Sequence, residues 1–369
     1  MSTTTSKHRK TQMMRTLPPS VHIDRIRITA PCTHRATGKV IYFDEGELGM
    51  VAAGGATANQ VTLKDGGKRA YVRSKQVGTN EVAYMLEIHC CPPQVLQKHN
   101  LFGHAVLADY VYAVLDLVTK RLHIEVDPME RAEWLRGGVS ITEIHLTGNF
   151  RCPSALIIPI IQAIDDNNPT GKVRKIASCI TLDRGSKRRS TYHALTIYDK
   201  AEQLLDAFHS ENRCKRLGPY QTKLVAEARD TIRAEIKLYS EELKKLDLGY
   251  VMRWYDTDAN ALFFHFFEKY KVSHSIQRAL SDDEMDVLTK KERNTYLLWL
   301  KGVPLSEQFS RTTAWKYAKA VYDKTGIKMS DKRKPEEQPE VHLADIFRLE
   351  NLMPVPQWAI GTPYYFPPP

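Results

Sequence analysis

Tyr198 stands in Ile197-Tyr198-Asp199-Lys200, after the basic run GSKRRSTYHAL and ahead of the strand-like segment IRAEIKL. A phenol set among cations and carboxylates can act as an oxygen nucleophile toward a phosphodiester, which makes this a candidate DNA-nicking position. An unperturbed phenol titrates near ~10 and is mostly protonated at neutral pH. Help must come from a metal on the phosphate oxygens and from Lys200, Lys187, Arg188 or Arg189, which could stabilise the phenolate or the developing negative charge. Tyr192 precedes Tyr198 by six residues in the same strand candidate, so it shares a face with it and is the alternative nucleophile. Ordinary strand packing accounts for the two tyrosines equally well.

Candidate ligands for that metal come from the strand period. Residues i and i+2 share a face, so Glu87 with His89, and Glu143 with His145, each present a carboxylate and an imidazole together. Two such pairs on neighbouring strands could hold a divalent ion. Carboxylate and imidazole both suit Mn²⁺, whereas Mg²⁺ prefers oxygen ligands and waters. Such pairs are equally what the solvent face of an amphipathic strand provides. Arg233 and Glu235 repeat the spacing with a cation that could pair with the scissile phosphate, or form a cross-strand salt bridge.

The chain carries 53 Lys and Arg against 43 Asp and Glu over 369 residues, net +10, with pI near 9.1. Its cations are clustered. Three of four dense basic stretches fall between Thr170 and Gly218, including Lys172, Arg174 and Lys175, and Lys187 to Arg189. That placement favours a phosphate-tracking groove and a nucleic-acid partner. The six cysteines show no CxxC pair or zinc-like spacing and fit a reducing cytoplasm. The first twenty residues have no apolar core of a signal peptide, and the apolar stretches are too short to span a membrane. A phosphotyrosine would conserve the energy of the phosphodiester, so no ATP is expected to be needed, and no GxxxxGK[ST] phosphate loop is present in the sequence.

The elements that must position these groups follow from hydrophobic period. VHIDRIRITAP alternates as a half-buried strand, KVIYFDEG, NQVTLKDGG and KRAYVRS read as short strands, and EVAYMLEIHCC is a strand stopped at Pro92-Pro93. Val106 to Val118 has helical spacing. SITEIHLTGNF followed by PSALIIPIIQAIDD repeats strand then helix, which points to internal duplication. IASCITLD, TYHALTIYDK and DTIRAEIKLYS are further strands, residues from about 246 to 326 are helix-rich, and the Pro-rich end reads as an extended arm or disordered tail.

The run Pro93-Gln94-Val95-Leu96-Gln97-Lys98-His99-Asn100-Leu101-Phe102-Gly103 resembles a P-x-K-V-L-Q-G-H-N-x-F-G segment of the filamentous-phage gene II type replication initiators, a family of phage and plasmid replication proteins. SITEIHLTGNF, the basic loop with its Y-x-K strand, and TIRAEIKLYSEELKKLDL resemble that family's later segments in order, over roughly residues 80 to 250. The resemblance implies that Tyr198 is the nucleophile joined to the 5′ end of a nick, with Lys200 and Arg233 beside it. It implies a metal set of Glu87, His145 and Glu235, extended by His89 and Glu143, holding Mg²⁺ or Mn²⁺. Where the family has R-I-D this chain has Glu143-Ile144-His145.

The expected fold is α+β, an antiparallel sheet flanked by helices with an internally duplicated core like that of the His-hydrophobe-His endonucleases. The expected organisation is a basic tail at 1–20, a nicking domain at 21–250, a helical region at 251–330 and a Pro-rich tail at 331–369. In the helical region Arg311, Lys316, Lys319 and Lys324 could read an origin in helix-turn-helix fashion, or the helices could pack on the nicking domain. Expected DNA contacts are Lys172, Arg174, Lys175, Lys187, Arg188, Arg189, His99 and Asn100. Expected partners are double-stranded origin DNA, the displaced single strand, and the host helicase, polymerase and single-strand-binding protein, in the bacterial cytoplasm. The rival expectation is a catalytically silent origin-binding protein or replication repressor.

Overall fold

In the computed structural model, residues 17–366 are described except 38–39, 43–47, 51–59, 66–67, 168–171, 177, 184–191, 213–215, 273–279, 281, 301–302, 326–328 and 330–341. The alternating stretch at the start of this range forms β1 (His22–Arg35), which buries Ile23, Ile26, Ile28 and Ala30. It pairs antiparallel with β6 (Val82–Cys90) on one side and β7 (Ser140–Arg151) on the other. Beyond β6 lie β5 (Lys68–Val77), β4 (Gln60–Asp65), β2 (Val40–Tyr42) and β3 (Leu48–Met50). Beyond β7 lie β11 (Thr231–Tyr239), β10 (His193–Asp199), β9 (Cys179–Asp183) and β8 (Lys172–Ile176). These eleven strands form one sheet, antiparallel throughout except where β2 runs parallel to β4.

The connection order repeats. In the first half β1 opens, the last strand β6 returns to pair with it, and β5 and β4 add outward. In the second half β7 opens, the last strand β11 returns to it, and β10 and β9 add outward. The two opening strands pair with each other at the centre, so the expected duplicated antiparallel core is present in the topology.

One face of this sheet is apolar and the other polar, as period-two alternation demands. α2 (Leu107–Arg121) buries Leu107, Tyr110, Val111, Val114, Leu115 and Val118, a single helical stripe, in the core on the apolar face. α4 (Ser154–Asn167) adds Ile157, Ile160, Ile161 and Ile164, with α3 (Pro128–Leu135) and α7 (Ser240–Lys245) at its margins. α8 (Ala259–Lys269) completes the cover with Phe263, Phe266 and Phe267, its start capped by the Asp258 carboxylate accepting from the Asn260 and Ala261 amides. α8, which follows the boundary expected near 250, shares the core of the sheet. Phe263 lies 6.1 Å from the Phe150 ring of β7, because the apolar face extends past what α2 and α4 can cover.

α9 (Asp282–Asp286), α10 (Lys290–Leu300), α11 (Leu305–Gln308) and α12 (Arg311–Thr325) share a separate small core of Leu288, Tyr296, Trp299, Leu305 and Val321. The expected turn at Gly302 lies outside the described residues. No described helix is long and apolar enough to cross a membrane.

The end of the chain differs most from expectation. α13 (Leu343–Ile346) leads into a segment from Leu352 to Phe366 that straps the sheet instead of trailing from it. The Met353 amide donates to the Asn149 carbonyl, and the Trp358 indole donates to Glu227 of α6 (Pro219–Ala228) at 2.8 Å. Tyr364 stacks on Tyr220 with ring centres 3.8 Å apart, and its carbonyl bonds His99 Nε2 at 2.8 Å. The Phe366 amide donates to Gln97 Oε1 at 2.9 Å. Proline richness suggested an extended arm or a disordered tail, but four aromatic residues among the prolines supply the apolar area that holds residues 352–366 down. A chain ending at Asn351 is expected to melt at a lower temperature and to exchange the amides of residues 97–103 faster by hydrogen exchange. Unchanged protection there would show that the strands alone hold that loop.

Candidate active site

Tyr198 lies in β10 opposite Arg233 of β11, on the polar face. Its hydroxyl donates to Glu235 Oε1 at 2.5 Å and accepts from Arg233 Nη1 at 3.2 Å. The phenol oxygen thus lies between a carboxylate that could take its proton and a guanidinium that could steady the resulting charge. Arg233 is fully buried, and its remaining donors are also satisfied. Nε donates to Asn149 Oδ1 at 2.8 Å, and Nη2 donates to the Asn100 carbonyl and to His22 Nε2. Nη1 also lies 3.7 Å from Asp24 Oδ1 and 3.8 Å from Glu235 Oε1.

Asp24 reaches this group through an irregularity in β1. Register against β7 shifts between Ile23 and Arg25, so Asp24 and Arg25 are adjacent polar residues inside an otherwise alternating strand. Such bulges re-aim a side chain at a functional centre. Asp24 Oδ1 accepts from Asn100 Nδ2 at 2.7 Å, and Asn100 Oδ1 accepts from Lys200 Nζ at 2.9 Å. Lys200 opens α5 (Lys200–Asn212), is fully buried and also donates to Gln203 at 2.7 Å. Asn100 follows α1 (Pro92–Gln97), in a loop locked by Gln97, whose amide donates to the Phe102 carbonyl at 2.6 Å.

Asp24, His145 and Glu235 each offer a ligand atom within 4.8 Å of the other two, and all three are buried. Two carboxylates and an imidazole suit Mn²⁺, and Mg²⁺ with added waters. Thr147, paired with Glu235 across β7 and β11, has a buried hydroxyl with no hydrogen-bond partner. An orphaned hydroxyl beside two carboxylates and an imidazole fits a site built around a hydrated cation.

The structure thus groups Tyr198, Arg233, Glu235, His145 and Lys200, and places Asp24 rather than Glu87 beside His145 and Glu235. Glu87 is two strands from His145 and bonds Lys75 at 3.2 Å. Glu143 Oε1 bonds His145 Nε2 at 3.0 Å and lies 3.9 Å from His89, so both residues flank the triad without joining it. Asp24, absent from the expected set, has a carboxylate oxygen within 4.8 Å of candidate ligand atoms of His145 and Glu235. His99 and Asn100, expected on DNA, are buried supports: the one is held by Tyr364, the other bridges Asp24 and Lys200. Tyr192 is half exposed just before β10, about 20 Å along the strand from Tyr198. Lys172, Arg174 and Lys175 fall on edge strand β8, while Lys187, Arg188 and Arg189 lie outside the described residues. The two adjacent polar residues in HIDRIRI were the signal for Asp24, since period two cannot accommodate them without a bulge.

Burial and charge act against each other here. Burial drives the Tyr198 phenol well above its ordinary range, Arg233 pulls it back and Glu235 pushes it up again. Burial also pushes the Lys200 ammonium well down, reinforced by Arg233. Burial would raise Asp24, but Arg233 and Lys200 outweigh it and hold the carboxyl below the usual range. His22 and His99 are lowered to about 3, and His89 and His104 to about 4, chiefly by burial. Above pH 6.5 these rings are neutral in both folded and unfolded chains. Below it the unfolded chain takes up protons that the fold refuses, so stability falls until the folded values near 3 to 4 are reached. Melting temperature is expected to drop between about pH 7 and pH 5, and less steeply in His22→Asn. A flat profile over that interval would show that the imidazoles are protonated in the fold.

The family model for the N-terminal part of the phage gene II replication-associated protein matches residues 22–257, which include every residue of this group. A curated relative, the corresponding replication-associated protein of Enterobacteria phage I2-2, is 23% identical over 252 residues, covering 68% of this chain and 71% of its own. Among solved structures, a rolling circle replication initiator protein from Geobacillus stearothermophilus aligns over 86% of this chain and 99% of its own, with 12% identity. Its TM-score of 0.28 lends no support to a shared fold. With nearly two thirds of its length matched, sheet and candidate site included, this chain belongs to the gene II replication-associated protein family.

Proposed function

We propose that the chain initiates rolling-circle replication by nicking one strand of a phage or plasmid origin through Tyr198. The observation that carries this reading is the position of the Tyr198 hydroxyl, between the Glu235 carboxylate and the Arg233 guanidinium and beside Asp24 and His145. Glu235 takes the phenol proton as the oxygen attacks phosphorus. The phosphorus–O3′ bond breaks, the 3′ oxygen leaves as a hydroxyl after taking a proton from solvent, and the 5′ phosphate stays on Tyr198. Arg233 steadies the phenolate as it forms. Asp24, His145 and Glu235 would hold Mg²⁺ or Mn²⁺, which draws electron density from the phosphate oxygens when bound. Attack by a free 3′-OH on the phosphotyrosine reverses these bonds and rejoins the displaced strand, with no nucleotide consumed.

Lys200 is a positioning residue in this scheme. It holds Asn100, and Asn100 holds Asp24 and Arg233. The partners that follow are origin duplex, the displaced strand and the host helicase, polymerase and single-strand-binding protein.

The test mixes the protein with supercoiled DNA bearing its native origin and Mg²⁺ or Mn²⁺, and seeks protein attached to a 5′ end on a denaturing gel. A metal-dependent adduct that disappears in Tyr198→Phe is expected. Asp24→Asn should slow adduct formation by on the order of 100-fold or more while melting shows a folded protein. An adduct that survives Tyr198→Phe and is lost in Tyr192→Phe would move the nucleophile, and binding without a nick under either ion would favour the silent origin-binding protein.

A further inference from the structure

The polar face of the sheet continues past the site, across β1 and β6, to β5. Lys68, Ala70, Val72 and Ser74 are buried, whereas Arg69, Tyr71 and Arg73 are exposed and Lys75 is partly so, three cations and an aromatic without a carboxylate. Register places them on the site's own face. Tyr71 pairs with His89, His89 with Arg27, and Arg27 with Glu143, which bonds the ligand His145. Tyr71 keeps 37% of its surface exposed, with its ring 6.3 Å from that of His89. The carboxylates along this path are already engaged. Glu87 stands opposite Arg73 but pairs with Lys75 at 3.2 Å, and Glu143 lies 3.7 Å from Arg27 and bonds His145. On its other side β5 meets no carboxylate at these positions, since Arg69, Tyr71 and Arg73 stand opposite Lys64, Thr62 and Gln60 of β4.

We infer that this face is a track for single-stranded DNA, in which Arg69 and Arg73 bind backbone phosphates and Tyr71 stacks on a base some distance from the bond cut at Tyr198. The inference rests on the nicking reading above and adds where the strand beside the nick runs. Five inter-strand steps separate β5 from β10, about 24 Å across the sheet, so the contact falls several nucleotides from the scissile phosphate. A single strand fits better than a duplex. Its bases are free to stack on an exposed ring, and a row of cations at strand spacing follows one backbone. Readout here is independent of sequence, because every base has a face to stack and every link a phosphate.

The experiment compares wild type with Arg69→Gln/Arg73→Gln and with Tyr71→Ala, using long oligonucleotides that span the nick and short ones confined to the few nucleotides around it. For the long single strand, the double variant is expected to lower the slope of log binding constant against log salt by about 1.4, roughly 0.7 for each phosphate released. Tyr71→Ala is expected to weaken long-strand binding on the order of tenfold with the salt slope unchanged. Adduct formation on the short oligonucleotide should be the same in all three proteins, which also shows that the variants fold. Equal losses on long and short strands, an unchanged salt slope in the double variant, or losses confined to duplex would each overturn the track. If wild type binds the long strand as expected but forms no adduct, the nicking reading fails and the track stands.

Discussion

A fully buried guanidinium is the constraint around which this molecule is arranged. Removing Arg233 from water costs several kcal/mol unless its donors are satisfied and its charge is opposed. The fold meets both needs with Asn149, Asn100, His22 and Tyr198 as acceptors and with Asp24 and Glu235 as counter-charges. Each of these groups is thereby fixed in place. His22 must remain neutral to accept, Asn100 must present its carbonyl, and the Tyr198 oxygen is held with its proton turned to Glu235. The chemistry proposed for this chain uses the same groups that keep the charge tolerable.

The duplicated sheet explains how such a cluster can exist. Two halves of like connection order meet at β1 and β7, so the central strands are flanked on both sides and can bury polar side chains on one face. The other face takes the apolar load from α2, α4 and α8. Polar groups at the centre are then closed over by the loop after α1, and that loop is held by the C-terminal strap. Support therefore passes from Tyr364 and Phe366 to Gln97 and His99, on to Asn100, and so to Arg233 and Asp24. Outward along the sheet this cover ends, and the polar face stands open at β5.

Which of the site residues share a face could be read from spacing alone. Glu235 and Arg233 share a face by the period of a strand, and the Tyr198 register follows from β10 pairing with β11. Glu87 lies apart from His145 and Glu235 because period two says which face a residue occupies and nothing about how far away its strand lies. One intervening strand separates it from β7, and Lys75 takes its carboxylate instead. His99 and Asn100, expected on DNA, are buried for a related reason. A polar pair in a loop looks solvent-directed until the buried groups that need its hydrogen bonds are known.

By itself the sequence determined the local periods: which segments alternate, which carry a helical stripe, that strand and helix recur, and that a tyrosine, a lysine and an Arg-x-Glu pair sit at strand spacing. These depend on neighbours within a few residues, so composition and order suffice. Only the tertiary structure decided that Asp24 lies with His145 and Glu235, that α8 belongs to the sheet's core, and that the Pro-rich end is a strap. Each of these is a contact between residues far apart in the chain, set by strand order, by a bulge that turns one side chain, and by apolar area that finds its partner only after the sheet has formed.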